Sequence, residues 1–327
     1  MLTDAGTPLP GSALLLSDDR PHVLGPAEQV RLPKRVGARA SYDVTGAVRG
    51  VFDLGPIQVR SVDPLGLAEA LSQCTATGRL VVTPRLVELP AVHLTHVSSG
   101  EGDNRPRALA LGNPTDVTVR DYRTGDDLRR VHWPSTARTG EIMVRREEQP
   151  ARSRATVLLD DRATAHRGSR TDTTLELAIT AAGSLAQHLE AAGVRVRFAT
   201  TTGRELGRSW REDHGSSASA LLEQLAELTS SQRAALSEDW VAEVTTESLV
   251  FGVFGVLHEQ DVALLQRVAA RRRARRGSSY AVCVDPRPRS DRGSDRPATD
   301  ALIGLGWHTC EIRDTDDLVR GWSSWGR

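Results

Sequence analysis

The chain is 327 residues long, 39% hydrophobic and 26% charged, with 42 basic residues against 42 acidic ones. That mix excludes a disordered polymer and leaves room for two domains of ordinary size. A cancelled net charge gives no bulk attraction to nucleic acid or to an anionic membrane, so neither is an expected partner.

Residues 1–89 alternate short apolar runs with turn residues. ALLLSD, SYDVTGAV, VFDLGPIQVRSV and GRLVVTPRLVEL read as strands, separated by Pro-Gly, Gly-Pro, Asp-Pro-Leu-Gly and Ala-Thr-Gly punctuation. The spacing predicts an antiparallel β-sandwich. Gly50, Gly55, Pro56, Pro64 and Gly66 set turn geometry, and no Lys-Ser/Thr pair follows that would make these glycines a phosphate loop.

From 90 to 150 the chain reads as a linker and an arginine-rich segment. HLTHVSSGEGDNRPRALALGNPTD is expected to be an exposed connection. His93 and His96 stand three apart without a third ligand nearby, which favours exposed histidines over a zinc site.

The stretch DYRTGDDLRRVHWPSTARTGEIMVRREEQP, 121–150, sets arginines against carboxylates and shows neither a helical period nor strand alternation. Arg–carboxylate forks can brace irregular backbone, which is the structural reading. The functional reading is an interaction or anion-binding surface. A catalytic use would need His132 as general base with Asp126 or Asp127, and no Ser, Cys or second His stands at a supporting spacing.

This stretch resembles the signature of the bacterial domain of unknown function 58 family. The matching positions are Tyr122, Arg123, Gly125, Asp126, Arg130, Val131, His132, Trp133, Thr136, Ala137, Arg138, Arg146 and Glu147. Upstream, RGVFDLGPIQVRSVDPLGL, 49–67, resembles the family's run through Leu-Gly-Pro to Asp-Pro-Phe-Gly-Leu, with Leu65 in place of Phe. The resemblance implies membrane-spanning helices ahead of the sandwich, which this sequence does not show. No long apolar run or signal peptide occurs in it. The expectation is therefore a cytoplasmic protein, associated with a membrane only through a missing anchor or a partner. The resemblance also implies a MoxR-type AAA+ ATPase as partner.

After residue 150 apolar runs alternate with helical patterns. ATVLLDD, VRVRFATT, SLVFGVFGVL, SYAVCVD and WHTCEIR read as strands. Between them, Leu175, Ile179, Ala182, Leu185 and Leu189 mark one helical face, with Thr171 or Asp172 as cap and Gly193 as stop. Repeated βα units predict a Rossmann-like, mostly parallel sheet with helices on both faces over 151–327. The resemblance places a von Willebrand factor type A-like domain there.

A metal-binding domain of that type would end its first strand in D-x-S-x-S, holding Mg²⁺ or Mn²⁺. Here Asp160 and Thr164 match the ends of that motif, and Arg162 stands where the first serine belongs. A guanidinium offers no lone pair and repels a cation, so the ion site reads as degenerate and no cofactor is expected. Asp160 and Asp161 are expected to cap a helix or to pair with Arg162 or Arg167. A working metal site would need a later acid such as Asp285.

The remaining features carry less. Arg271, Arg272, Arg273, Arg275 and Arg276 end a predicted helix and read as a solvated, dipole-complementing run. Cys74, Cys283 and Cys310 suggest neither a disulfide framework nor a metal motif. Lys34 is the only lysine, a bias that fits a GC-rich genome. The sequence thus predicts a β-sandwich, 1–89, a signature-bearing linker, 90–150, and an α/β domain, 151–327. The expected function is a non-enzymatic interaction or scaffold subunit, with a metal-dependent adhesion-type binder and a His132 hydrolase as alternatives.

Overall fold

The structure is a computed structural model and describes residues 13–32, 39–97, 106–110, 118–122, 131–146, 154–169, 172–206, 217–244, 249–274, 277–285 and 297–326. The chain divides into two units. One comprises Met1–Arg85 with Ser219–Thr229, the other Leu86–Ala218 with Ser230–Arg327.

The first unit is antiparallel. Its strands are β1 (Ala13–Asp18), β2 (Val30–Leu32), β3 (Gly50–Leu54), β4 (Ile57–Val62), β5 (Glu69–Cys74) and β6 (Gly78–Val82). They form a four-stranded sheet in the order β2-β1-β4-β5 and a separate β3-β6 pair. The run VFDLGPIQVRSV becomes two strands because Gly55 sits at φ 93°, where a Cβ would lie 2.7 Å from the Ala76 carbonyl oxygen. Arg49 donates to the carbonyls of Leu225 and Ala226, at 2.8 and 3.1 Å, drawing a later helix end into this unit.

Two strand expectations need correction here. SYDVTGAV is not a strand; Gly46 lies where a Cβ would meet the Val82 side chain at 2.5 Å, so the segment passes β6 as irregular backbone. Conversely, β5 pairs with β4 along its length, although EALSQC is mostly exposed and lacks an apolar face. Backbone pairing at a sheet edge leaves no hydrophobic period to read.

The second unit starts with a hairpin, β7 (His93–Val97) against β8 (Pro106–Ala110), inside what the sequence presents as an exposed connection. β9 (Thr118–Asp121), α1 (Trp133–Thr139) and β10 (Met143–Arg146) follow, with β9 antiparallel to β10. The arginine-rich segment therefore contains both a helix and a strand.

The α/β part then runs β11 (Arg154–Leu159), the two-residue strands β12 (Gly168–Ser169) and β13 (Asp172–Thr173), α2 (Thr174–Ala191), β14 (Arg195–Thr200) and β15 (Glu205–Leu206), after which the chain forms α3 (Ser217–Glu227), most of which belongs to the first unit. It continues through α4 (Val241–Val244), β16 (Leu249–Phe254), α5 (Glu259–Ala274), β17 (Ser278–Val284), α6 (Pro297–Gly304), β18 (His308–Ile312) and α7 (Thr315–Ser324). The six-stranded sheet has the order β15-β14-β11-β16-β17-β18 and is parallel apart from the short β15.

Helices cover both faces, which is why β16 reads LVFGVF with every residue buried. Leu158, Val250, Phe254 and Ala281 form one core layer with Trp240, Val241, Leu264, Leu265 and Leu302. α2 and α7 pack on the sheet and on each other. The expected α2 stripe is buried as a whole, but its cap is Thr173, whose hydroxyl accepts the Glu176 N–H. Among the described residues no helix is long and apolar enough to cross a membrane.

Candidate functional site

The signature residues fall into three groups. Arg123, Gly125, Asp126, Asp127, Arg130 and Glu147 lie outside the described residues, and Arg146 closes β10. Tyr122, His132, Trp133 and Arg138 belong to a small layered motif. The Tyr122 N–H donates to the Ile142 carbonyl at 2.8 Å and the His132 N–H to the Met143 carbonyl at 2.7 Å, so both flanks grip the start of β10.

α1 is fixed to that strand from within. The Thr136 hydroxyl donates to the His132 carbonyl at 3.1 Å and accepts the Met143 N–H at 3.0 Å. Gly140, at φ 77°, ends the helix. Trp133 is 70% exposed, and Tyr122 and Ile142 are exposed as well. Arg138 is exposed in the helix's last turn, where a cation suits the dipole.

His132 does have a serine in reach, contrary to the sequence reading. Its Nδ1 lies 2.8 Å from the Ser135 hydroxyl, three residues along the helix. That contact spans the first turn of α1 and occupies the imidazole locally.

A second cluster sits at the carboxyl ends of β11 and β16. Parallel strands run outward from β11 to β14 on one side and to β16 on the other, and the crevice between the two directions is where open α/β sheets take ligands. Here Arg162 fills it. The guanidinium is fully buried and forks onto Asp160 with Nε–Oδ1 and Nη2–Oδ2 both at 2.8 Å. Its Nη1 reaches both Asp261 oxygens at 2.9 Å and the Ala234 carbonyl at 3.1 Å.

The surroundings complete the pairing. Thr201 donates to Asp160 Oδ1 at 3.1 Å, and the His258 N–H donates to Asp261 Oδ2 at 2.9 Å. Asp261 lies in the first turn of α5, where the helix dipole also favours an anion. Burial works against the charged guanidinium, but the hydrogen bonds and fields of Asp160 and Asp261 outweigh it and hold Arg162 well above its ordinary range.

Asp161 turns the other way. Its Oδ2 accepts from Thr202 at 2.8 Å, while Oδ1 is buried with no hydrogen-bond partner among the described residues. Burial pushes this carboxyl up from 3.8, against the Thr202 bond. His166 donates from Nε2 to the Asp160 carbonyl at 2.6 Å with Thr174 on Nδ1 at 3.1 Å; burial pushes its pKa down from 6.5. Thr164, the far end of the metal-type motif, stands exposed on the turn Ala163–Ala165.

The family model described as protein of unknown function DUF58 matches residues 118–273, a little under half of the chain. The match supports the DUF58 family. It spans the signature and all three members of the Asp160–Arg162–Asp261 cluster. No curated protein and no solved structure matches the chain.

Two residues of the matched segment, Asp261 and Arg272, have parts that the sequence did not assign to them. Asp261 is the later acid that reaches this cluster, while Asp285, the example given for a metal-binding alternative, pairs with Arg313 at 2.6 Å. Arg272 is buried, not part of a solvated run, and donates to Ser279 at 2.8 Å and to the Val244 carbonyl at 2.7 Å. A signal was present for it: Leu264, Val268 and Arg272 recur every four residues on one helical face. Arg162 to Asp261, 99 residues apart, had none.

Proposed function

We propose that this chain is a non-enzymatic protein-interaction subunit that engages a MoxR-type AAA+ ATPase, with an α/β unit of the von Willebrand factor type A-like kind. The observation that carries this reading is Trp133, a large side chain held 70% in solvent on a helix clamped to β10. Aromatics and arginines are the side chains that most often dominate protein–protein binding energies. Trp133, Tyr122 and Ile142 emerge at one end of β10, and Arg138 follows on the same helix.

The alternatives have less support. A metal-dependent adhesion-type binder would need the place that Arg162 occupies between Asp160 and Asp261. A His132 hydrolase rests on Asp126 or Asp127, outside the described residues, while the imidazole itself is engaged with Ser135.

The test is direct binding of purified MoxR-type ATPase to the immobilised full chain and to a Trp133→Ala, Arg138→Ala variant of unchanged melting temperature. Binding by the wild type that weakens at least about 30-fold in the variant, roughly 2 kcal/mol, is the expected outcome. No binding by the wild type, or equal binding by the variant, overturns the reading.

A further inference from the structure

Four carboxylate oxygens, from Asp160 and Asp261, face the Arg162 guanidinium together with the carbonyl oxygens of Ala234 at 3.1 Å and Val256 at 3.5 Å. The hydroxyl of Thr201 joins the same carboxylate edge. These groups come from the ends of β11 and β14, the loop before α4, the loop after β16 and the start of α5. All of the atoms are oxygens. An all-oxygen cluster of this kind, with two carboxylates, is the donor set that hard divalent cations take.

We propose that Arg162 is a built-in cation: its guanidinium stands where a Mg²⁺ or Mn²⁺ ion would otherwise balance this oxygen cluster, with one positive charge in place of two, and so makes the α/β unit independent of divalent metal. The side chain bridges two carboxylates that would repel each other at the bottom of a closed crevice. One guanidinium leaves the trio with one net negative charge, and the positive end of α5 and the His258 N–H lie against it on the Asp261 side.

The crevice is closed by backbone as well. A Cβ at Gly255 would lie 2.1 Å from the Ala165 carbonyl oxygen, and the Val256 N–H donates to that same oxygen at 2.8 Å. The loops after β11 and β16 are thus zipped over the arginine. This inference stands independently of the ATPase partner proposed above.

The test converts the arginine back to an oxygen donor. Full-length wild type, Arg162→Ser and Arg162→Ser, Asp261→Asn are melted in chelator and in saturating MnCl2 or MgCl2. The wild type is expected to show no metal-dependent change. Arg162→Ser should melt lower in chelator and recover by about 5 °C or more with Mn²⁺, and the added Asp261→Asn should abolish the recovery. If Arg162→Ser is unfolded in chelator, the same readout is the return of the folded state on adding Mn²⁺. A neutral Asp160→Asn, Arg162→Ser, Asp261→Asn chain then shows whether the crevice tolerates the lost side chain. A wild type stabilised by Mn²⁺ overturns the proposal, as does an Arg162→Ser chain that metal neither stabilises nor refolds.

Discussion

Strands β16 and β5 have the same length and opposite legibility. LVFGVF is buried at every position, under helices on both faces, whereas EALSQC is exposed at all but its last residue and is held at the edge of its sheet by pairing with β4. Both units bury charge: the α/β unit holds Arg162 between two satisfied carboxylates, and the antiparallel unit holds Arg20 against Asp18 at 3.3 Å with both side chains 2% exposed. The antiparallel unit differs in leaving Leu65, Leu67 and Leu71 in solvent at 78%, 83% and 72% exposure. Stability in the second unit therefore depends on a few interior groups, and surface substitutions in the first should be nearly silent.

The largest effect is expected from Arg162→Ala. It leaves two buried carboxylates without their cation, a change that typically costs about 3–5 kcal/mol. A melting temperature lowered by roughly 10 °C, measured by calorimetry or circular dichroism, is the expected outcome. A loss under about 1 kcal/mol would mean that the trio is solvated in practice.

Gly255→Ala should come next. The new methyl meets the Ala165 carbonyl at 2.1 Å, and forcing the two loops apart should cost about 1–3 kcal/mol in a denaturant titration.

A smaller effect concerns pH. The folded pKa of His166 lies below 6.5, so between the two values the unfolded chain binds the proton and the folded one does not. Stability is then present above about pH 6.5 and is lost as pH falls through the folded pKa. His188, lowered by burial too, adds in the same direction. His166→Gln should flatten this slope, whereas an unchanged slope would assign it to other groups. Asp161 has the opposite sign, because its raised pKa makes protonation favour the fold.

Leu71→Ser should be the quietest substitution, within about 0.5 kcal/mol of wild type. A larger loss would show that this edge is covered in solution and would weaken the contrast between the units.

The parts of the fold that were legible share a physical cause. β11, β16 and β17 are apolar because helices lie on both sides, and α2 shows its stripe because one face is buried. β5 and the β7-β8 hairpin are defined by backbone pairing, which leaves little trace in side-chain type. The Asp160–Arg162 half of the charged cluster was readable because it is local. Asp261 was not, since its first-turn position on α5 explains it fully until the fold brings it to the arginine. α1 escaped notice because WPSTART is too short to show a period, and Ser135 became a neighbour of His132 only through that helical turn.

Trp133 and Arg138 stand exposed on α1, whereas Arg162 at the sheet's mouth is fully buried. Native-state hydrogen exchange of the isolated chain, read by mass spectrometry, tests this most directly. Peptides over 157–161 and 250–254 should exchange only with global unfolding, and those over 133–139 should exchange orders of magnitude faster through local opening. Protection of 133–139 equal to that of the sheet would contradict the account and make the signature an internal brace.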